Sequence, residues 1–385
     1  MKRMKWARGV VLASVALLVS GCSLQGSEPA SNTCALRMAS DRGDVGLGFP
    51  KIADRGASTG AVDTAVIFID FDDEQATRTP EETFSLIEGA SQTFEEVSYG
   101  NLAYKMKPFY KWLRMSKPAT EYSYEHFDTH QELVIEALKL ADSNGYDFSG
   151  IDSFVIVTSP DGTRFPNGPA FAGASGDGIE LDGQRLNNGA TSGSDLTYWG
   201  SMWLNHEISH SMSLVDDYSA EGESDADWHK YVGQFGYMGY SSLESNAPGL
   251  FAFERWQLDW ITDSQVKCLP KSGGTVTLQN VETPGGVKLV IIPLSETMAI
   301  AVESRRPIGI DSKLAKSGAL VYVLDTSKLS GYGPLVVQSN TPQEEDQWLT
   351  QAPLSSGESI LVEGYEIQVV NASDKSDTIK VTQQK

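Results

Sequence analysis

The stretch His206-Glu207-Ile208-Ser209-His210 constrains this chain more than any other. It holds two of the five histidines, four residues apart with a glutamate between them. On an α-helix that spacing sets both imidazoles on one face, one turn apart, where they can share a metal ion. Glu207 then stands beside the metal rather than on it, placed to take a proton from metal-bound water. Composition alone would produce this pattern in such a chain on the order of once in a few hundred trials. The flanking residues are largely apolar, which argues against two surface histidines on an exposed helix. Zinc needs a third protein ligand and an open position for water. Asp216 is the first candidate, because a helix that ends near Ser213 can turn back and present it. Asp217 is the next, and a downstream glutamate such as Glu254 would serve in a different arrangement.

The N-terminus reads as an export signal. Lys2, Arg3, Lys5 and Arg8 precede an apolar and small-residue run, Val10 to Val19, too short to span a bilayer comfortably. The run ends in Val19-Ser20-Gly21-Cys22, which resembles the bacterial lipobox, whose cysteine is acylated and becomes the mature N-terminus. An ordinary cleaved signal with an incidental cysteine is the alternative. Residues 1–21 are thus expected to be a lipoprotein signal peptide, and Cys22 the lipidation site that anchors the protein at the outer side of the bacterial cell membrane. Loss of residues 1–21 removes four basic residues and no acidic one, moving the formal charge from −21 to −25. Such an acidic surface excludes nucleic acid as a partner and suits a protein that also holds hard cations such as calcium. With Cys22 lipidated, Cys34 and Cys268 remain as a single possible disulfide in an oxidising compartment; two buried free thiols are the alternative.

The length suits two domains. Residues 22–60 read as a tether and irregular lead-in. Ala65 to Ile69 is a buried strand, followed by Asp70, Asp72, Asp73 and Glu74, which read as a solvated turn in preference to a calcium site. Thr79-Pro80-Glu81-Glu82 starts a helix that runs to Tyr99-Gly100. A strand over 102–110, a helix over 131–142 and a strand over 154–157 follow. Residues 159–195 are dense in Gly, Asn, Asp and Ser; a stretch this long without regular structure is usually functional and is expected to line the cleft. The metal helix is expected over 198–214. After residue 264 come many short strands separated by Gly, Pro and Ser turns, the pattern of an antiparallel sandwich. The division is therefore 61–264 for an α+β catalytic domain and 265–385 for a β-sandwich domain.

His206-Glu207-x-x-His210-x-x-Ser213-x-x-Asp216 resembles the extended metzincin zinc signature, with Ser for the usual Gly and Asp for the usual third His. With Leu214, Asp216 and Tyr218, it resembles more closely the immune inhibitor A family of bacterial metallopeptidases. Ala65 to Asp72, Ser98-Tyr99-Gly100, Phe251 to Glu254, Leu258-Asp259-Trp260, Glu303-Ser304-Arg305 and Gly318 to Asp325 resemble further segments of that family, so the likeness covers roughly residues 63–370. It implies a metzincin-like catalytic domain, a twisted mixed sheet with an active-site helix. It also implies a Met-turn, which Phe235 to Tyr240 fit, with Met238 beneath the metal ligands. Tyr240 stands where some metzincins place a tyrosine that stabilises the oxyanion; a packing role is equally open. Ser213 must take the left-handed backbone shape that Gly would supply, at about 1 kcal/mol.

The expected activity is that of a membrane-anchored extracytoplasmic zinc endopeptidase acting on protein or peptide substrates, with Glu207 as general base and His206, His210 and Asp216 as ligands. A short edge strand within 170–174 is expected to hold the substrate backbone. The rival reading is a catalytically silent binding lipoprotein that retains the fold; it rests on Ser213 and is opposed by the presence of Glu207. His126, His130 and His229 lack partners at ligand spacing.

Overall fold

The computed structural model describes residues 34–39, 43–240 and 248–384; the signal segment and Cys22 lie outside them. Residues 33–385 form one compact unit. Its strands are β1 (Gly60–Asp70), β2 (Leu102–Arg114), β3 (Ser153–Val157), β4 (Ala170–Ala172), β5 (Ile179–Leu181), β6 (Gln184–Leu186), β7 (Asn188–Thr191), β8 (Val266–Cys268) and β9 (Gly274–Gln279). Then come β10 (Leu289–Pro293), β11 (Met298–Arg305), β12 (Gly318–Asp325), β13 (Leu335–Val337), β14 (Ser359–Val362), β15 (Tyr365–Ala372) and β16 (Ser376–Gln383). The helices are α1 (Pro80–Phe84), α2 (Ala90–Val97), α3 (Phe127–Ser143), α4 (Leu196–Trp199), α5 (Ser201–Ser211), α6 (Asp225–Trp228) and α7 (Ala252–Gln257).

The first sheet has the order β2-β1-β3-β7-β4 and is mixed. β1 pairs in parallel with β2 and β3, β3 in parallel with β7, and β4 closes the edge antiparallel to β7. Both faces of β1 are covered along Ala65 to Ile69, so that run is apolar throughout rather than alternating. Val62, Val66 and Phe68 face a core that includes α2 and α5, whereas Ala65, Ile67 and Ile69 face α3. From α3, Leu133, Val134, Ala137, Leu138 and Ala141 are buried, the larger ones each contributing about 1.5–3 kcal/mol.

Two further sheets follow, β13-β12-β11-β10-β8 and β14-β15-β16-β9. They share a core in which Val290, Ile300 and Val321 of one meet Ile367, Val369 and Ile379 of the other. The pairing is antiparallel apart from β8, which runs parallel to β10, a departure from the all-antiparallel expectation. β8 enters directly from the first half of the chain, and its Cys268 is disulfide-bonded to Cys34. Behind that bond the lead-in is irregular but packed, with Leu36, Val45 and Leu47 buried in the core that joins the two halves.

Three helices differ from expectation. The segment after Thr79 is two helices, α1, which starts at the expected place with a Thr79–Glu82 capping box, then α2. The break falls at Gly89, where a Cβ would lie 3.3 Å from the Ser201 hydroxyl, so the turn lets α2 approach the start of α5. α3 begins earlier than its periodicity predicts, at Phe127, whose ring stacks on Phe171. The metal helix is likewise divided at Gly200, with φ +51° between α4 and α5.

Candidate metal centre

α5 is buried nearly all round: from Trp203 to Ser211 only Glu207 is partly exposed. Trp203, Leu204 and Ile208 pack into the core beneath the first sheet, and Asn205 donates to Ala90 O at 3.0 Å. The helix is thereby fixed, and its remaining face carries His206, Glu207 and His210.

Each histidine has one ring nitrogen at a backbone carbonyl. Nδ1 of His206 lies 3.0 Å from Tyr237 O, and Nδ1 of His210 lies 2.8 Å from Leu214 O. Donation there puts the proton on Nδ1 and leaves Nε2 as a lone pair directed into the site. The two Nε2 atoms are 3.0 Å apart. Asp216 Oδ1 completes a triangle, 3.3 Å from the first and 3.1 Å from the second. Among the described residues, these are the His, Cys, Asp or Glu side chains that gather three at a time in ligand fashion. Three lone-pair atoms this close repel one another unless a cation lies between them. Tetrahedral ligands at about 2.0–2.1 Å from a zinc-sized ion stand about 3.3 Å apart, so the set fits a small divalent metal.

Asp216 reaches the triangle through the turn after α5. Ser213 has φ +91°, and its buried hydroxyl has no hydrogen-bond partner. The lead-in holds this turn: Gly46 N donates to Ser213 O at 3.1 Å, and Gly56 N to Ser211 O at 2.8 Å. Asp216 Oδ2 accepts from Ser330 Oγ at 2.8 Å, and Gly331 N donates to Asp216 O at 3.0 Å. Ser330 belongs to the connection between β12 and β13, and nothing in its sequence context announces this role.

Phe235 to Tyr240 form a tight turn with Gly236 at φ +73° and Gly239 N donating to Gly236 O. Met238 is buried beside Ile208, Met212 and Leu214, and its carbonyl accepts from Asp217 N at 2.9 Å. Tyr240 packs on Trp228 and His229, with ring centroids 4.6 and 4.8 Å away, and lines a chamber that also includes His206 and Glu207. Asp217 and Glu254 are outside the triangle. Both are fully buried, and burial raises both carboxyls, assisted at Asp217 by Glu254 and Asp216 and at Glu254 by Glu303.

Glu207 Oε2 accepts from Ala170 N at 2.7 Å. Burial pushes its carboxyl up to about 8, opposed by the charge of His206 and assisted by Asp216 and Asp195. A cation on the triangle would draw it back toward the carboxylate range. β4 thus presents its outer edge to the site: Ala170 N–H goes to Glu207, and Ala172 O accepts from Arg55. Ala170 and Ala172 line a cleft of about 850 Å³ together with His206, Glu207, His210 and Asp216. The Gly-rich stretch contributes Pro166 to Pro169 to the same wall.

The acids at the end of β1 enter a solvated turn, with Asp72 and Asp73 exposed, but they also make specific contacts there. Asp70 pairs with Arg114 at 2.7 Å, and Asp73 accepts from Ala119 N at 2.6 Å. Glu74 takes the amides of Thr163 and Arg164 at 2.9 and 2.8 Å, fastening a loop of the cleft. A loop this rich in Gly and polar residues needs such an anchor, which the local sequence of β1 does not announce. Tyr218, absent from the candidate site residues, stacks on His206 at 6.2 Å and lines the cleft. The other histidines stand apart. His126 is exposed, His130 is buried with Nε2 2.8 Å from Thr191 Oγ1, and His229 packs on Trp348.

No family model matches the sequence, and no curated protein matches it. Among solved structures, it is similar to catalytic inactive OgpA from Akkermansia muciniphila in complex with an O-glycopeptide (glycodrosocin) substrate. That match has 11% identity and a TM-score of 0.28, covering 75% of this chain and 94% of that one. Wild-type OgpA from the same organism matches at 13% identity and a TM-score of 0.31 over the same shares. Likenesses at this level settle neither fold nor chemistry, and the reading of the site rests on its own atoms.

Proposed function

We propose that this chain is a zinc endopeptidase, held by lipid at Cys22 on the outer side of a bacterial membrane. The observation that carries the reading is the triangle of His206 Nε2, His210 Nε2 and Asp216 Oδ1, with Glu207 beside it and an edge strand along the same cleft. The sequence resemblance to the immune inhibitor A family supports it. Zinc on these three ligands supplies Lewis-acid polarisation of a peptide carbonyl and lowers the pKa of water. Glu207 takes the proton of the attacking water and returns it to the leaving amine. Ala170 N–H holds the second role of orienting that carboxylate, by the hydrogen bond to Oε2. An extended substrate laid along β4 passes its backbone by Glu207, taking over the Ala172 carbonyl from Arg55.

The test combines metal analysis with cleavage of an unstructured protein, with and without chelator. Glu207→Gln is expected to keep the metal and lose at least about 10³-fold in hydrolysis; full activity in that variant overturns the mechanism. Labelling with a clickable fatty acid is expected in the wild type and absent in Cys22→Ser.

A further inference from the structure

We infer that Ser330, from the β-sandwich half of the chain, is a positioning residue for Asp216. It fixes the carboxylate so that one oxygen alone faces the two histidines. The inference rests on the metal site of the peptidase reading above.

Asp216 reaches the triangle on a segment, 212–218, that belongs to neither helix nor strand. A carboxylate on such a segment can turn about its side-chain bonds, and each setting offers a cation a different set of oxygens. The Ser330 hydroxyl removes that freedom. It accepts from Asp216 N at 2.8 Å and lies 2.8 Å from Asp216 Oδ2. An amide only donates and a metal-binding carboxylate only accepts, so the single hydroxyl proton has one destination, Oδ2. Oδ1 is left without a hydrogen bond, 3.3 Å from His206 Nε2 and 3.1 Å from His210 Nε2. One ligand oxygen in place of two keeps a coordination position open for water.

The serine is itself held. It lies in the connection 326–334 between β12 and β13. Asp325 N to Pro334 O at 2.9 Å closes the base of that connection, and Tyr332 N to Leu329 O at 3.0 Å folds it within. Gly331 N donates to Asp216 O at 3.0 Å, and Ala220 N to Gly331 O at 2.9 Å, so the connection runs alongside 216–220. So close an approach requires a glycine. Gly331 has φ +76°, and a Cβ there would sit 2.7 Å from that of Ala220. Ser330 is 5% exposed and Asp216 7%, so little water competes for a hydrogen bond that a charged acceptor already strengthens. The three candidate ligands all come from 206–216, yet the setting of the third depends on a side chain from the other half of the molecule.

The experiment strips the full chain of metal and titrates zinc back against a chromophoric chelator, with circular dichroism as the check on folding. Loss of a partner of this kind costs about 10–100-fold in metal affinity, and Ser330→Ala is expected to show that loss. Ser330→Thr and Ser330→Val match in shape and differ in the hydroxyl, so this pair serves if the alanine variant does not fold. The threonine variant should bind zinc as the wild type does, and the valine variant as weakly as alanine. Cobalt(II) in place of zinc gives a spectroscopic readout of ligand geometry: its visible bands should shift in the alanine and valine variants and stay in place in the threonine one. Zinc affinity unchanged in Ser330→Ala, or lowered equally in the threonine and valine variants, overturns this inference and leaves the peptidase reading standing. Zinc bound by the wild type without cleavage of any peptide overturns the peptidase reading and leaves the role of Ser330 standing. No zinc bound by the wild type overturns both.

Discussion

Two buried polar clusters in this protein are built on opposite plans. Around Arg305 the charges close on themselves. Its guanidinium donates to Glu303, to both oxygens of Asp311 and to the carbonyls of Gly249 and Leu250, while Tyr322 and the Ala252 amide complete Glu303. At His206, His210 and Asp216 the outer atoms of the histidines are satisfied and the inner ones confront each other, with Asp216 Oδ1 accepting no hydrogen bond. Arg305, Glu303 and Asp311 need nothing further, although the neighbouring Glu282 keeps one buried oxygen without a hydrogen bond. The second is complete only with a cation. A buried charge network that satisfies itself marks a joint, here between the segment leading into α7 and β11, whereas convergent lone pairs mark a place for a guest.

The contrast is breakable. Arg305→Ala strands Glu303 and Asp311 without their counter-charge and is expected to destabilise by about 3–5 kcal/mol in denaturant unfolding; a near-neutral result would mean the joint carries little. At free zinc about 100-fold above Kd, the metal should add about 2.7 kcal/mol, seen as a loss on chelation. His210→Ala should show no chelator response, and a response as large as in the wild type removes the triangle from the metal site.

His130 lies in neither cluster and gives a pH test. Burial holds its imidazole near 4, below the ordinary 6.5 of the unfolded chain. Stability from this group is therefore full above about pH 6.5 and lost as pH falls toward 4, about 2 kcal/mol by pH 5. His130→Gln should flatten that slope in urea titrations; an unchanged slope shifts the acid sensitivity to other groups. The smallest expected effect is at the turn. Ser213→Gly relieves a left-handed serine and removes an unpartnered hydroxyl, so a gain of about 1 kcal/mol is expected, and a loss would show that the Ser213 side chain packs usefully.

Local signals carried much of this. The histidine spacing placed both imidazoles on one helix, and the apolar runs of β1, β3, β10 and β12 stood out because both faces of each are covered. The step to Asp216 was legible as ten residues of chain returning past Ser213. What supports it was not: Ser330 arrives from 114 residues away, and Gly46 from a lead-in whose composition resembles a tether. The breaks at Gly89 and Gly200 were hidden for a related reason. Each answers a neighbour distant in sequence, Ser201 Oγ in one case and Leu86 O in the other, and helical periodicity is blind to both.

The Cys34–Cys268 bond, with its sequence separation of 234, closes more than half of the chain into a covalent ring. Closing a loop of that length disfavours the unfolded chain by about 5 kcal/mol in the chain-entropy picture. It also changes what damage means. A single backbone cut anywhere between the two cysteines opens the ring without releasing a fragment, so α5, the Ser213 turn and β4 stay tethered to the anchored end proposed at Cys22. For the peptidase proposed above, which its own copies could cut, the first nick is survivable.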